Sequence, residues 1–116
     1  MGAPVVHFEI GCRNKPRTED FYSRLFDWKI NNSIVQTGPR SIGGHILSVE
    51  NPKNYIMIYV QVDDLHDYIR RAKELGGRIL SEPVELISGC YVWIQDPDGN
   101  VVGAWRPWKP SELNVQ

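Results

Sequence analysis

The sequence predicts an α+β fold in which two βαβββ modules form one curved mixed sheet, with helices on the convex face and an open concave pocket. Three observations lead to this prediction. Apolar and polar residues alternate in short runs, which is the pattern of half-buried strands. Each half of the chain has one stretch of helical spacing after its first strand. The order of elements in residues 4–50 then repeats in residues 55–108.

The first half begins with a strand at residues 5–10, where apolar side chains alternate with a histidine and a glutamate. A helix follows, which Asn14 or a neighbour can cap and which should stop near Asp27. Three further strands are predicted at residues 28–30, 34–37 and 42–47.

The second half begins with a strand at residues 56–62. Asp63 or Asp64 can cap the next helix, and the glycine pair at 76–77 ends it in a left-handed conformation. Residues 96–100 are predicted as a hairpin turn, because Asp, Gly and Asn tolerate positive φ. Further extended segments are predicted at residues 78–80, 84–86, 91–95 and 101–105.

Residues 51–54, Asn-Pro-Lys-Asn, break the chain between the two halves. We expect a single domain over residues 1–116, with a first module at 4–50 and a second at 55–108. The tail carries two prolines, Pro107 and Pro110, which cannot continue a regular strand ladder.

Composition and charge exclude several classes of protein. The 116 residues include 13 Lys and Arg against 14 Asp and Glu, so the net charge is −1. Such a balance lacks the basic stripe of a nucleic-acid binder. The apolar runs are too short for a membrane span, and the first residues do not form a secretory signal. We therefore expect a cytoplasmic protein in which Cys12 and Cys90 are reduced thiols.

Strand parity predicts which side chains line the pocket. The aliphatic residues of each strand should meet the helices, which leaves the alternate residues for the concave face. By the correspondence between halves, Ile42, Gly44 and Ile46 would share that face. Aromatic walls with a few polar groups are typical of a small-molecule pocket, although the same aromatics could fill a dimer or module interface. The residues predicted for ligand binding are His7, Glu9, Met57, Tyr59, Gln61, Tyr91, Trp93, Gly103 and Trp105.

Two sets of motifs carry a family resemblance. The first half has His-Phe-Glu-Ile at 7–10 and Leu-Phe-Asp-Trp-Lys-Ile at 25–30. The second half has Tyr-Val-Gln-Val-Asp-Asp-Leu at 59–65 and Gln-Asp-Pro-Asp-Gly-Asn at 95–100. Together they resemble the vicinal oxygen chelate superfamily, which includes glyoxalase I, bleomycin-resistance proteins and extradiol dioxygenases. The resemblance implies the glyoxalase/bleomycin-resistance fold, a small-molecule ligand or substrate, and a homodimer.

Enzymes of this superfamily typically hold one divalent metal through four positions, on the first and last strand of each half. The resemblance implies His7 as the first position, a residue at or beside Gly44 as the second, Met57 as the third and Gly103 as the fourth. Glycine offers no side-chain ligand, and a thioether is a poor ligand for hard or borderline ions. We therefore expect no metal cofactor.

An alternative keeps one divalent metal at His7. His45 lies next to the glycine pair, so a bulge there could turn it inward to form a non-standard cluster with His7 and Glu9. In the simpler interpretation, His45 faces away and His7 is a polar wall of the pocket.

Three functions remain open at this stage. The first is a metal-free protein that binds a hydrophobic or aromatic small molecule, as drug-sequestering members of the superfamily do. The second is a lyase, isomerase or dioxygenase in which His7 or Glu9 acts as a general base or as a metal ligand. The third is an accessory module whose pocket residues form an interface between chains.

Overall fold

The computed structural model describes residues 2–50 and 54–113. Most of the predicted break at 51–54 lies outside the described residues, and the module limits of 4–50 and 55–108 stay predictions. By its contacts the chain divides into two compact units. We call Val6–Ile58 the first unit, and Met1–Val5 with Tyr59–Gln116 the second unit. Each unit is described by itself below.

The first unit contains one helix and strands in the order β2-β3-β4-β1. β1 and β4 are parallel, whereas β2, β3 and β4 pair with one another as an antiparallel meander. The elements are β1 (Val5–Cys12), α1 (Lys15–Phe26), β2 (Lys29–Asn31), β3 (Ile34–Gln36) and β4 (Gly43–Ser48).

Local chemistry sets the limits of α1 much as the sequence predicts. The Asn14 side chain accepts a hydrogen bond from the backbone N–H of Arg17 at 3.1 Å, which satisfies one free donor of the first turn. The helix ends at Asp27, which takes a left-handed φ of 58°. Asp can occupy this region because its short polar side chain tolerates it.

The hydrophobic core of the first unit lies between α1 and the strands. Tyr22 of α1 packs there against Trp28, with ring centroids 5.2 Å apart and nearly parallel planes. The buried side chains of this core are Ile10, Cys12, Val35 and Ile46. The residues that alternate with them along β1 and β4 therefore occupy the face of the strands away from the helix, which we call the helix-free face.

The prediction that Ile42, Gly44 and Ile46 share the concave face is wrong. β1 and β4 pair with Phe8 opposite Gly44 and Ile10 opposite Ile46, so Gly44 and Ile46 lie on the helix-covered face. Ile42 precedes β4 and belongs to no strand. The correspondence between halves misplaced this strand by one residue, and a slip of one residue exchanges the two faces.

The second unit has the strand order β5-β9-β8-β6, where β5 starts in the first unit and belongs to the second from Tyr59 onward, and the short β7 pairs with β8. β5 and β9 are parallel, whereas β8 pairs antiparallel with both β9 and β6. The elements are β5 (Tyr55–Gln61), α2 (Leu65–Glu74), β6 (Arg78–Ile79), β7 (Val84–Glu85), β8 (Gly89–Gln95), β9 (Val101–Pro107) and α3 (Pro110–Leu113).

The turns of the second unit follow the sequence prediction. Asp64 caps α2, because its carboxylate accepts from the backbone N–H of Asp67 at 3.0 Å. Gly76 follows the helix with a φ of 95°. In the β8–β9 hairpin, the Asp96 carboxylate accepts from the backbone N–H groups of Asp98 and Asn100, both at 2.9 Å.

The core of the second unit lies between α2 and the strands. Its buried residues are Val62, Leu65, Cys90, Val92 and Ala104. Cys12 and Cys90 are both free thiols, as predicted. The sequence did not predict the short helix α3, which begins at Pro110, a residue suited to a first helical turn. None of the helices in the described part of the chain is long and apolar enough to cross a membrane.

Candidate functional site

The helix-free face of the first unit brings two histidines together. β1 places His7 and Glu9 on this face, and the parallel register sets His45 of β4 directly opposite Glu9. The expectation that His45 faces away is therefore wrong. No bulge is needed to turn it inward, because regular pairing between β1 and β4 already places it beside His7.

The two imidazole rings are in direct contact. His7 Nε2 lies 2.5 Å from His45 Nδ1, and the ring centroids are 4.6 Å apart with planes inclined by 57°. A neutral imidazole has one N–H donor and one acceptor nitrogen, so one ring can donate to the other. The contact joins the two rings by an N–H···N hydrogen bond.

Glu9 is buried, with 7% of its surface exposed, and has a partner that the sequence analysis missed. The hydroxyl of Tyr55 donates to Glu9 Oε2 at 2.5 Å. Tyr55 is the first residue of β5, one position before the predicted start of that strand. Extending the alternation back from Met57 by two residues would have placed Tyr55 on the same side of the strand.

The pKa of His7 is lowered below its ordinary value of 6.5. Burial is the largest cause, because it disfavours the charged imidazolium. The neighbouring His45 lowers the pKa further, whereas the Glu9 carboxylate acts in the opposite direction. His7 is thus held preferentially as a neutral ring, in the form that suits a hydrogen bond between two imidazoles.

The helix-free face of the second unit is aromatic. The paired strands set Tyr59 opposite Gly103 and Gln61 opposite Trp105. The next pairing sets Tyr91 opposite Trp105 and Trp93 opposite Gly103. All six residues alternate with the core residues that face α2, so they share one side of the strands.

Tyr59 is the centre of this aromatic group. Its hydroxyl accepts a hydrogen bond from Trp93 Nε1 at 3.1 Å. Its ring meets the Tyr91 ring edge to face, with centroids 5.9 Å apart and planes at 90°. This is a favoured geometry for aromatic pairs, and the hydrogen bond satisfies the indole N–H. Tyr59 is buried, whereas Trp93 and Trp105 stay partly exposed.

The residues present do not fit the four-ligand metal centre that the resemblance implies. At Gly103 there is no side chain, and the Tyr59 ring fills the space that a Cβ would need. Met57 offers a buried thioether. Within the described ranges, no group of three or more His, Cys, Asp and Glu side chains converges in a way that could hold an ion.

Substitution of Gly103 tests the close packing of Tyr59. We expect Gly103→Ala to lower the free energy of unfolding by roughly 1–3 kcal/mol, because the new methyl group overlaps the Tyr59 ring. In a Tyr59→Ala background the same substitution should cost much less. Chemical denaturation of the four chains of this cycle measures the coupling. Gly38→Ala is the control, since the atom nearest its added Cβ is 3.6 Å away. Equal costs in both backgrounds would contradict the packing.

The lowered pKa of His7 predicts how stability depends on pH. Between the lowered pKa and 6.5, the unfolded chain binds more protons at this site than the folded chain. The free energy of unfolding should therefore rise with pH through that window and level off above it. Thermal unfolding between about pH 4.5 and 8 measures the effect. His7→Gln should reduce the slope, whereas an unchanged slope would show that other groups cause it.

The sequence matches the model of a known protein family. The family model described as the Glyoxalase/Bleomycin resistance protein/Dioxygenase superfamily matches residues 5–103. No curated protein matches the sequence significantly. Many solved structures share the fold.

Three of these similar structures are an epimerase, a superfamily member and a dioxygenase. Methylmalonyl-CoA epimerase from Mycobacterium tuberculosis has a TM-score of 0.67 at 14% identity, over 90% of this chain and 88% of that one. A glyoxalase/bleomycin resistance protein/dioxygenase superfamily member from Vibrio splendidus 12B01 has a TM-score of 0.65 at 16% identity, over 90% and 99%. The 2,2′,3-trihydroxybiphenyl 1,2-dioxygenase of Sphingomonas wittichii RW1 has a TM-score of 0.64 at 12% identity, over 94% and 42%.

At identities this low, the structural similarity shows the fold alone. It confirms the predicted fold class. The family match covers most of the sequence. The chain belongs to the Glyoxalase/Bleomycin resistance protein/Dioxygenase superfamily.

Proposed function

We propose that this chain binds a small apolar or aromatic molecule on the helix-free face of its second unit, without the four-ligand metal centre of the superfamily. The observation that carries the proposal is the Tyr59 ring over Gly103. An aromatic side chain stands where a metal-binding member would place a ligand. Gly103, the strand position that would carry a metal ligand, supports a flat apolar surface in this chain.

The aromatic group of the second unit is preorganised for such a ligand. The Trp93–Tyr59 hydrogen bond and the edge-to-face contact with Tyr91 fix three rings relative to one another. Rings that are already fixed lose little conformational entropy when a ligand binds. Trp93 and Trp105 are partly exposed and so can contact it, and Gln61 adds a polar group on the same face.

The named structural neighbours are consistent with a small organic ligand. One was determined as methylmalonyl-CoA epimerase in complex with methylmalonyl-CoA and NH4+, with a TM-score of 0.67 at 12% identity. Another is a dioxygenase named for 2,2′,3-trihydroxybiphenyl. These ligands differ widely, so the superfamily supports the general class and the residues of this chain must supply the detail.

A second candidate is a lyase, isomerase or dioxygenase that uses the first unit. The contact between His7 and His45 favours it, because each imidazole has one nitrogen that can donate and one that can accept, so a proton can pass between the rings. His45 is the partner of His7 in such a reaction, since the two rings are in contact, whereas the Glu9 carboxylate accepts a hydrogen bond from Tyr55.

The proposal extends to the assembly and location of the protein. A homodimer is supported by the large apolar side chains that stay exposed on α1, namely Phe21, Leu25 and Phe26. A location in the cytoplasm is supported by the two free cysteines.

Binding of N-phenyl-1-naphthylamine, a neutral probe whose emission rises in apolar sites, tests the proposed function. We expect saturable binding to the wild-type chain, with energy transfer from tryptophan. Trp93→Ala should weaken binding roughly threefold to tenfold, which corresponds to about 0.5–1.5 kcal/mol for one aromatic contact.

Trp28→Phe is the matched control, because Trp28 packs on the helix-covered face of the first unit. It should leave the affinity for the probe unchanged. Circular dichroism shows that both variants fold. If Trp93→Ala and the wild-type chain bind the probe equally well, the aromatic face is not the binding site.

A further inference from the structure

The contacting pair His7–His45 forms a polar site that the proposed function does not use. Its two rings come from different strands, β1 and β4, that pair in regular parallel register. Both side chains are only partly buried, so a small molecule can reach them. The pair lies on the helix-free face, where it is not covered by α1.

The donor and acceptor nitrogens of the two rings determine which groups the pair can bind. In a neutral pair one ring donates its N–H to the inner nitrogen of the other. If His45 donates through Nδ1, its outer nitrogen Nε2 is an acceptor. If His45 accepts at Nδ1, the same Nε2 carries the proton and is a donor. The outer nitrogen of His45 therefore changes role with the direction of the inner bond.

A hydroxyl group matches both states of this nitrogen. It can donate and accept, whereas a carbonyl can only accept and an ammonium can only donate. Either direction of the His7–His45 bond thus leaves a hydroxyl ligand with a good partner.

The charge of the surroundings argues against an anionic ligand. Glu9 lies two residues from His7 on the same face, and its carboxylate is buried. It already accepts a hydrogen bond from Tyr55, which fixes its position. A carboxylate or phosphate group brought to the pair would meet this like charge in a partly desolvated place. A neutral hydroxyl meets no such repulsion.

We propose that the His7–His45 pair is a metal-independent site that binds the hydroxyl group of a neutral phenol or alcohol. The inference goes beyond the proposed function, since it concerns a separate polar site within the first unit. In this site the hydrogen-bonded pair, and not an ion, recognises the oxygen of a small molecule bound to the first unit.

Nuclear magnetic resonance of the full chain with 15N-labelled histidine tests the site. Phenol and its methyl ether, anisole, are titrated separately at pH 7.5. Phenol should shift the ring nitrogens of His45 and His7 in a saturable manner. Its affinity should exceed that of anisole about fivefold, which corresponds to about 1 kcal/mol for one neutral hydrogen bond. His66, exposed on α2 in the second unit, is the internal control and should not shift.

Two variants sharpen the result. His45→Leu removes the outer nitrogen, so phenol and anisole should bind this variant equally. Glu9→Gln keeps a group that can accept from Tyr55 but removes the charge. It should strengthen the binding of benzoate relative to that of phenol. The His66 resonances and circular dichroism report whether each variant folds.

Equal affinity for phenol and anisole in the wild-type chain would overturn the inference. So would the absence of any shift at His45, or a preference for phenol that survives in His45→Leu. The proposed function fails separately, when Trp93→Ala leaves the affinity for N-phenyl-1-naphthylamine unchanged. The two failures are therefore distinguishable.

Discussion

The parallel pairing of the first and last strands in each unit is the constraint on which both candidate sites depend. In the first unit β1 pairs with β4, and in the second unit β5 pairs with β9. Parallel pairing in fixed register decides which residue of each strand points away from the helix. The contact between His7 and His45 follows from the first pairing, and the packing of Tyr59 over Gly103 follows from the second.

The two units use these equivalent strands in different ways. The first unit keeps two polar side chains in contact, supported by a buried carboxylate and the hydroxyl of Tyr55. The second unit keeps no ligand at Gly103 and fills the space with an aromatic ring. The family resemblance implies metal-ligand positions in both halves of the sequence, and at Gly103 there is neither a side-chain donor nor space for one.

The elements of the fold could be predicted from the sequence because alternation, helix caps and turn residues are local signals. Asn14, Asp64 and Gly76 act where their chemistry indicates. The position of His45 could not be predicted so directly, since it depends on which residue of β4 lies opposite Glu9. The glycine pair at 43–44 carries no side chain to mark the faces of the strand. The hydrogen bonds of Tyr55 and Trp93 are long-range contacts that periodicity does not encode.

The absence of the superfamily's metal centre is the central claim, and metal content tests it most directly. The chain is expressed in medium supplemented with divalent metals, purified without chelators, and analysed for bound elements beside His7→Ala. We predict far fewer metal ions than chains in both proteins, because the Tyr59 ring occupies the space at Gly103 and the two histidines bind each other. One divalent ion per wild-type chain, lost in His7→Ala, would contradict the claim and favour a metalloenzyme.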